Sequence, residues 1–94
     1  MSHRPEGKER LVRLSDVPKG HPVVVRTVAI GEARQARYLG ALGILSGTIL
    51  VVERSAPFGG AVMVRVGEAR YALGREVCEG IVVEPEETIM SDEL

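Results

Sequence analysis

The chain is poor in the residues that several protein classes depend on. It has one cysteine, Cys78, so it cannot form an internal disulfide and carries no Cys-x-x-Cys pair for a metal or a redox couple. It has no tryptophan and only three aromatic residues, Tyr38, Phe58 and Tyr71, too few for the stacking platforms of a single-strand nucleic-acid binder. Its two histidines, His3 and His21, are not spaced with other ligands at metal-binding intervals. No stretch approaches the ~20 apolar residues needed to cross a bilayer. Met1 to Arg10 is polar and lacks the apolar run of a signal peptide, so the expected location is the cytoplasm, without direct membrane insertion. No glycine-rich loop is followed by lysine and Ser/Thr, which leaves P-loop nucleotide binding unsupported. The net charge of −1 gives no reason to expect a nucleic-acid partner.

What is present points to β structure. Ninety-four residues suit one domain with one modest core. Nineteen valines and isoleucines against eight leucines favour strands, because side chains branched at Cβ are stiff and fit a pleated surface. With so few aromatics, the core must be mainly aliphatic. Charge is uneven: residues 1–40 carry eight Lys/Arg against four Asp/Glu, and residues 41–94 four against nine.

Residues 1–10 read as a flexible N-terminal arm, 11–84 as the folded domain, and 85–94 as a flexible acidic tail. Asp16-Val17-Pro18-Lys19-Gly20 has turn chemistry. Val23–Ile30 is a β-prone run whose three consecutive valines hide which face is inward. From Glu32 to Leu42 the period changes to that of a helix. Ala36, Leu39 and Leu42 form its apolar stripe, Arg34, Arg37 and Tyr38 lie opposite, and Glu32 is expected in the first turn, favourably placed for the helix dipole. Gly40 suggests close approach of another backbone, and Gly43 suits a left-handed helix terminus. Strands are expected at Thr48–Arg54, Ala61–Val66, Ala69–Leu73 and Ile81–Val83. Gly67-Glu68 should form a two-residue hairpin, and Gly74–Glu79 one helical turn. Gly-Glu-Ala-Arg occurs at 31–34 and again at 67–70, but the flanks differ and the match is coincidental. The reading is a mainly β fold: a small open barrel of about five strands, with one short α-helix after the first long strand.

Four segments in order carry a family resemblance. Leu39-Gly40-Ala41-Leu42-Gly43-Ile44-Leu45-Ser46-Gly47-Thr48 resembles the FeoA signature of a basic helix ending in Leu-Gly, an apolar pair, Pro-Gly-Thr and a strand. Leu14–Gly20 resembles the family's opening Leu-Ser-x-x-x-x-Gly, Ala56-Pro57-Phe58-Gly59 its Ala-Pro-x-Gly loop, and Tyr71–Val83 its closing segment. The resemblance covers roughly Leu11 to Glu84. It implies a Src-homology-3-like (SH3-like) barrel that assists the membrane-embedded ferrous-iron transporter FeoB at its cytoplasmic GTPase domain. Related domains at the C-termini of metal-dependent repressors supply an alternative: a metal-responsive module acting on a transcription factor or binding a transition metal directly. The chain departs from the family pattern at Ser46, in place of proline, which should loosen a turn. Gly60-Ala61 and Gly74 also differ, altering exposed groups.

No catalytic constellation is visible, and no cofactor or metal site is expected. Cys78, beside Val77 and before an Ile-Val-Val strand, reads as a small buried filler rather than a nucleophile. The candidate partner-binding surface is Arg34, Arg37 and Tyr38 on the helix, with Pro57 and Phe58 on a loop, because arginine and aromatic residues are enriched among interface anchors. The competing reading makes the arginines a solvated face and folds Phe58 back onto the barrel. Self-association is left open.

Overall fold

The computed structural model describes residues 11–86. The expected N-terminal arm and residues 87–94 of the expected acidic tail lie outside the described residues. Six strands form one antiparallel sheet: β1 (Val12–Arg13), β2 (Pro22–Val28), β3 (Ile49–Ser55), β4 (Val62–Val66), β5 (Ala69–Leu73) and β6 (Ile81–Pro85). Their order is β1-β6-β2-β3-β4-β5. A 3-10 turn, Leu14–Asp16, follows β1; α1 (Ala33–Ala41) joins β2 to β3, and α2 (Arg75–Glu79) joins β5 to β6. The sixth strand is β1, which is only two residues long and too short to show a period. β6 runs one residue past the expected domain end at 84.

The inward faces meet in an aliphatic core. Val23 and Val25 from β2, Leu50 and Val52 from β3, and Val62 and Val64 from β4 are buried, joined by Leu14, Leu39, Ile44, Leu73, Ile81 and Val83. The three consecutive valines of β2 alternate in the ordinary way, with Val23 and Val25 buried and Val24 on the other face, and a bulge follows between Val25 and Thr27, where Arg26 is the extra residue opposite β6. Its guanidinium reaches Glu84 at 2.8 Å. A second bulge, between Val52 and Arg54, makes Glu53 the extra residue of β3. Gly67 has φ 63° and Glu68 does not share the positive φ, the pattern of a type II′ hairpin, with Val66 paired to Ala69.

Helix α1 ends as its glycine suggests. Gly43 has φ 87°; its N–H donates to the Gly40 carbonyl at 3.0 Å and that of Ile44 to the Leu39 carbonyl at 2.9 Å. These two bonds make a Schellman motif, sealed by burial of Leu39 and Ile44. The helix start differs from expectation. Glu32 is not in the first turn but caps it from an extended conformation (φ −89°, ψ 118°), and its side chain makes no capping bond. The glycines also exchange roles. A Cβ at Gly40 would meet only Leu45 Cδ2 at 3.6 Å, an ordinary contact. At Gly80 it would meet the Ala29 carbonyl oxygen and Ile30 Cδ1, both at 3.0 Å. Gly80 is therefore approached closely by the backbone at the end of β2, as Gly40 is not; the tighter contact at Gly60, with Ala56 Cβ at 2.7 Å, lies within its own turn.

Between α1 and β3, Leu45–Thr48 forms a turn closed by Thr48 N–H to the Leu45 carbonyl at 3.0 Å, with Gly47 at φ 94°. This is type II geometry, which favours proline at the second position and glycine at the third. Ser46 holds the proline position and makes a tether that proline could not. Its hydroxyl donates to the Arg26 carbonyl at 2.8 Å and ties the turn to the β2 bulge. The Thr48 hydroxyl donates to the Gly43 carbonyl at 2.8 Å and accepts from Leu45 N–H at 3.1 Å, joining the helix end to the turn.

Candidate interaction surfaces

Arg34, Arg37 and Tyr38 come together on the outer face of α1. All are exposed, Tyr38 by 55 %, and among the described residues neither arginine is ion-paired. The helix is held by Leu39 alone as a fully buried residue, with Leu42 half-buried. This anchoring turns the arginine face outward. Sequence reasoning missed a depression on the apolar-stripe side of the helix. An open groove of ≈ 480 Å³ lies between α1 and β2, lined by Val28, Ala36, Ile44, Leu45 and Ser46. Leu45 is 55 % exposed and rests against Gly40, which lies one turn from Arg37 on the same side of the helix. The signal was present in the Gly-x-x-x-x-Leu spacing, but only the turn geometry shows that Leu45 points back to the helix.

Pro57 and Phe58 occupy the β3–β4 connection. Ala56 N–H donates to the Ala61 carbonyl at 2.9 Å and Gly60 N–H to the Pro57 carbonyl at 3.2 Å, a turn with both central residues, Phe58 (φ 57°) and Gly59 (φ 78°), in the left-handed region. Phe58 does not fold back onto the barrel: its relative exposure is 102 %.

The two groups form separate surfaces, not one. β2 runs from Pro22 to Val28, and α1 follows its Val28 end. Val24 pairs with Ile49 and Pro22 with Val51, so β3 continues through Ser55 beyond the start of β2. The Phe58 turn lies beyond that point, at the opposite end of the β2–β3 ladder.

On the outer face of the same hairpin, the bulged Glu53 receives Arg70 Nε at 2.7 Å and Arg65 Nε at 3.0 Å. The hydrogen bond from Arg70, with that from Arg65, holds the Glu53 carboxyl below the usual carboxylate range. Cys78 is fully buried, and desolvation pushes its thiol up to about 11, the opposite of what a nucleophile requires. His21 is exposed in the turn before β2. Among the described residues no three His, Cys, Asp or Glu side chains gather into a metal-holding group.

Comparison with known proteins bears on these features. The FeoA domain model matches residues 12–85. Comparison with curated protein sequences finds no match. Among solved structures, the chain is similar to the FeoA protein from Chlorobium tepidum (32% identity, TM-score 0.73, 79% of this chain and 70% of that one). It is also similar to the zinc-complexed FeoA of Stenotrophomonas maltophilia, described as a prokaryotic SH3 domain protein (30% identity, TM-score 0.67, 78% and 89%). A third, an iron uptake regulatory protein FeoA, matches at 25% identity with TM-score 0.72 over 81% and 99% of the two chains. With the family match spanning nearly all of the described residues and the same barrel found in these structures, the chain belongs to the FeoA family.

Proposed function

We propose that this chain is a non-enzymatic accessory protein of ferrous-iron uptake that works in the cytoplasm by binding the GTPase domain of a FeoB-type transporter. Family membership supports the link to ferrous-iron transport. The observation that carries the binding surface is the outer face of α1: Arg34, Arg37 and Tyr38 stand exposed, and Arg37 lies one turn from Gly40, against which the exposed apolar Leu45 of the neighbouring groove rests. Arginine and tyrosine next to an apolar depression are the composition of an interface anchor. The helix is short but fixed at its C-terminal end by the Schellman bonds and Thr48, so the face is pre-organised and loses little freedom on docking.

Titration of fluorescently labelled protein with the isolated GTPase domain, in lipid-free buffer, tests this reading. Arg37→Glu with Tyr38→Ala should weaken binding by roughly tenfold or more, as loss of a hot spot does. Binding unchanged in the double variant refutes the α1 surface.

A further inference from the structure

Phe58 is misplaced both as a turn residue and as a core residue. At φ 57° it occupies the left-handed region, where bulky side chains are rare. A turn with two central residues at positive φ is ordinarily built from Asn-Gly. The ring is not recruited for packing either, since it is fully solvated. It protrudes from Ala56-Pro57-Phe58-Gly59-Gly60-Ala61, a hairpin tip with no polar side chain. At the root of this hairpin the exposed Lys19 and Arg54 line an open groove of ≈ 620 Å³ together with Arg65. Gly20 N–H donates to the Val52 carbonyl at 2.8 Å, which pins the Lys19 turn to β3. The one carboxylate in that groove, Glu53, is already engaged by Arg65 and Arg70.

We propose that this end of the barrel is a peripheral contact for an anionic lipid surface, with the Phe58 ring entering the headgroup–acyl boundary and Lys19 and Arg54 facing the phosphates. A convex apolar tip above a groove whose exposed cations, Lys19 and Arg54, outnumber its one already engaged carboxylate fits a flat anionic interface. Aromatic rings settle at the headgroup level of a bilayer, and exposed cations add attraction to anionic lipid. The contact is superficial: among the described residues no helix is long and apolar enough to cross a membrane. It is also separate from the α1 surface, which lies at the other end of the β2–β3 ladder.

The absence of tryptophan supplies the assay. A Phe58→Trp variant carries the only indole in the chain, and its emission reports directly on the tip. Vesicles of phosphatidylcholine mixed with phosphatidylglycerol should shift that emission to the blue, vesicles of phosphatidylcholine alone should not, and added salt should reverse the shift. Co-sedimentation of the wild-type protein with the anionic vesicles should fall roughly tenfold or more in Phe58→Asn, and again in Lys19→Glu with Arg54→Glu. Asparagine accepts the left-handed conformation, so Phe58→Asn should melt no lower than wild type, separating lost binding from lost fold. Unchanged emission with anionic vesicles, or wild-type sedimentation by Phe58→Asn, overturns the proposal. A blue shift seen only on adding the GTPase domain without lipid assigns the ring to a protein pocket and also overturns it. The α1 contact is read in lipid-free buffer with different variants, so the two readings fail independently.

Discussion

Replacing Thr48 with valine keeps the shape of the side chain and its preference for a strand while removing the hydroxyl. That hydroxyl donates to the Gly43 carbonyl at 2.8 Å and accepts from Leu45 N–H at 3.1 Å, so one atom satisfies two backbone groups between α1 and β3. A net hydrogen bond is worth about 1 kcal/mol, and an unsatisfied partner costs more where water cannot reach it. Thr48 is half-buried, so partial rehydration lowers the sum of two bonds to about 1.5 kcal/mol. For a domain of this size each kcal/mol moves Tm by roughly 4–8 °C, which puts the expected fall near 6–12 °C. Urea denaturation followed by circular dichroism should show a lower midpoint with an unchanged slope. Thr48→Ser restores the hydroxyl and should recover most of the loss. A Thr48→Val protein within about 0.3 kcal/mol of wild type, or a serine variant as weak as valine, refutes the claim that this hydroxyl holds the helix end.

Two glycines should respond in opposite directions to the same change. Gly40→Ala gains helix propensity without a clash and should raise stability by about 0.5–1 kcal/mol, whereas Gly80→Ala presses a methyl against the Ala29 carbonyl and should lower it by about 1–3 kcal/mol, both read from urea midpoints. The Ala29 backbone cannot easily yield, because its N–H donates to the Gly80 carbonyl at 2.7 Å. Cys78 gives a pH dependence whose sign follows from its buried thiol. Its pKa is raised from 9.0 to about 11, so between those values the unfolded chain has released a proton that the folded chain retains, and stability falls as pH rises through this window. The loss should be about 2 kcal/mol greater than in Cys78→Ala, whose comparison cancels the tyrosines and lysines; parallel pH profiles of the two proteins contradict the assignment.

The parts of this fold that were legible in the sequence are those fixed by local chemistry. Gly67-Glu68 between two β-prone runs located the β4–β5 hairpin, and Gly43 after an apolar stripe located the end of α1, because each depends on backbone freedom at one residue. The bulges at Arg26 and Glu53 were not legible. Which residue is extra depends on the register against a distant strand, and the chain's own alternation around Val23–Val25 pointed both ways. Ser46 shows the same limit. As a replacement for proline it predicts a looser turn, yet its hydroxyl finds the Arg26 carbonyl, a group exposed by the bulge twenty residues earlier. Of the candidate site, the exposure of Arg34, Arg37, Tyr38, Pro57 and Phe58 is what their types suggest, but their division into two surfaces and the Leu45 groove required the pairing of β2 with β3.

That division bears on how the proposed transporter contact and the proposed lipid contact would combine. A single surface holding both the arginines and Phe58 would engage one partner, and its affinity would rest on one contact. Surfaces at opposite ends of the β2–β3 ladder can be occupied at once, and a weak lipid contact then acts through effective concentration rather than through its own strength. On the two proposals together, a domain held at the bilayer would meet the transporter's cytoplasmic domain in a confined layer, and α1 would not need to bind tightly. The fold suits this arrangement because the elements at both ends are stiffened where they leave the sheet: α1 by its Schellman bonds and Thr48, and the Phe58 hairpin by its turn bonds and the Glu53–Arg65–Arg70 clasp across β3, β4 and β5. Neither clasp touches the other, so substitutions at the two ends should combine additively in stability while multiplying in membrane-tethered binding.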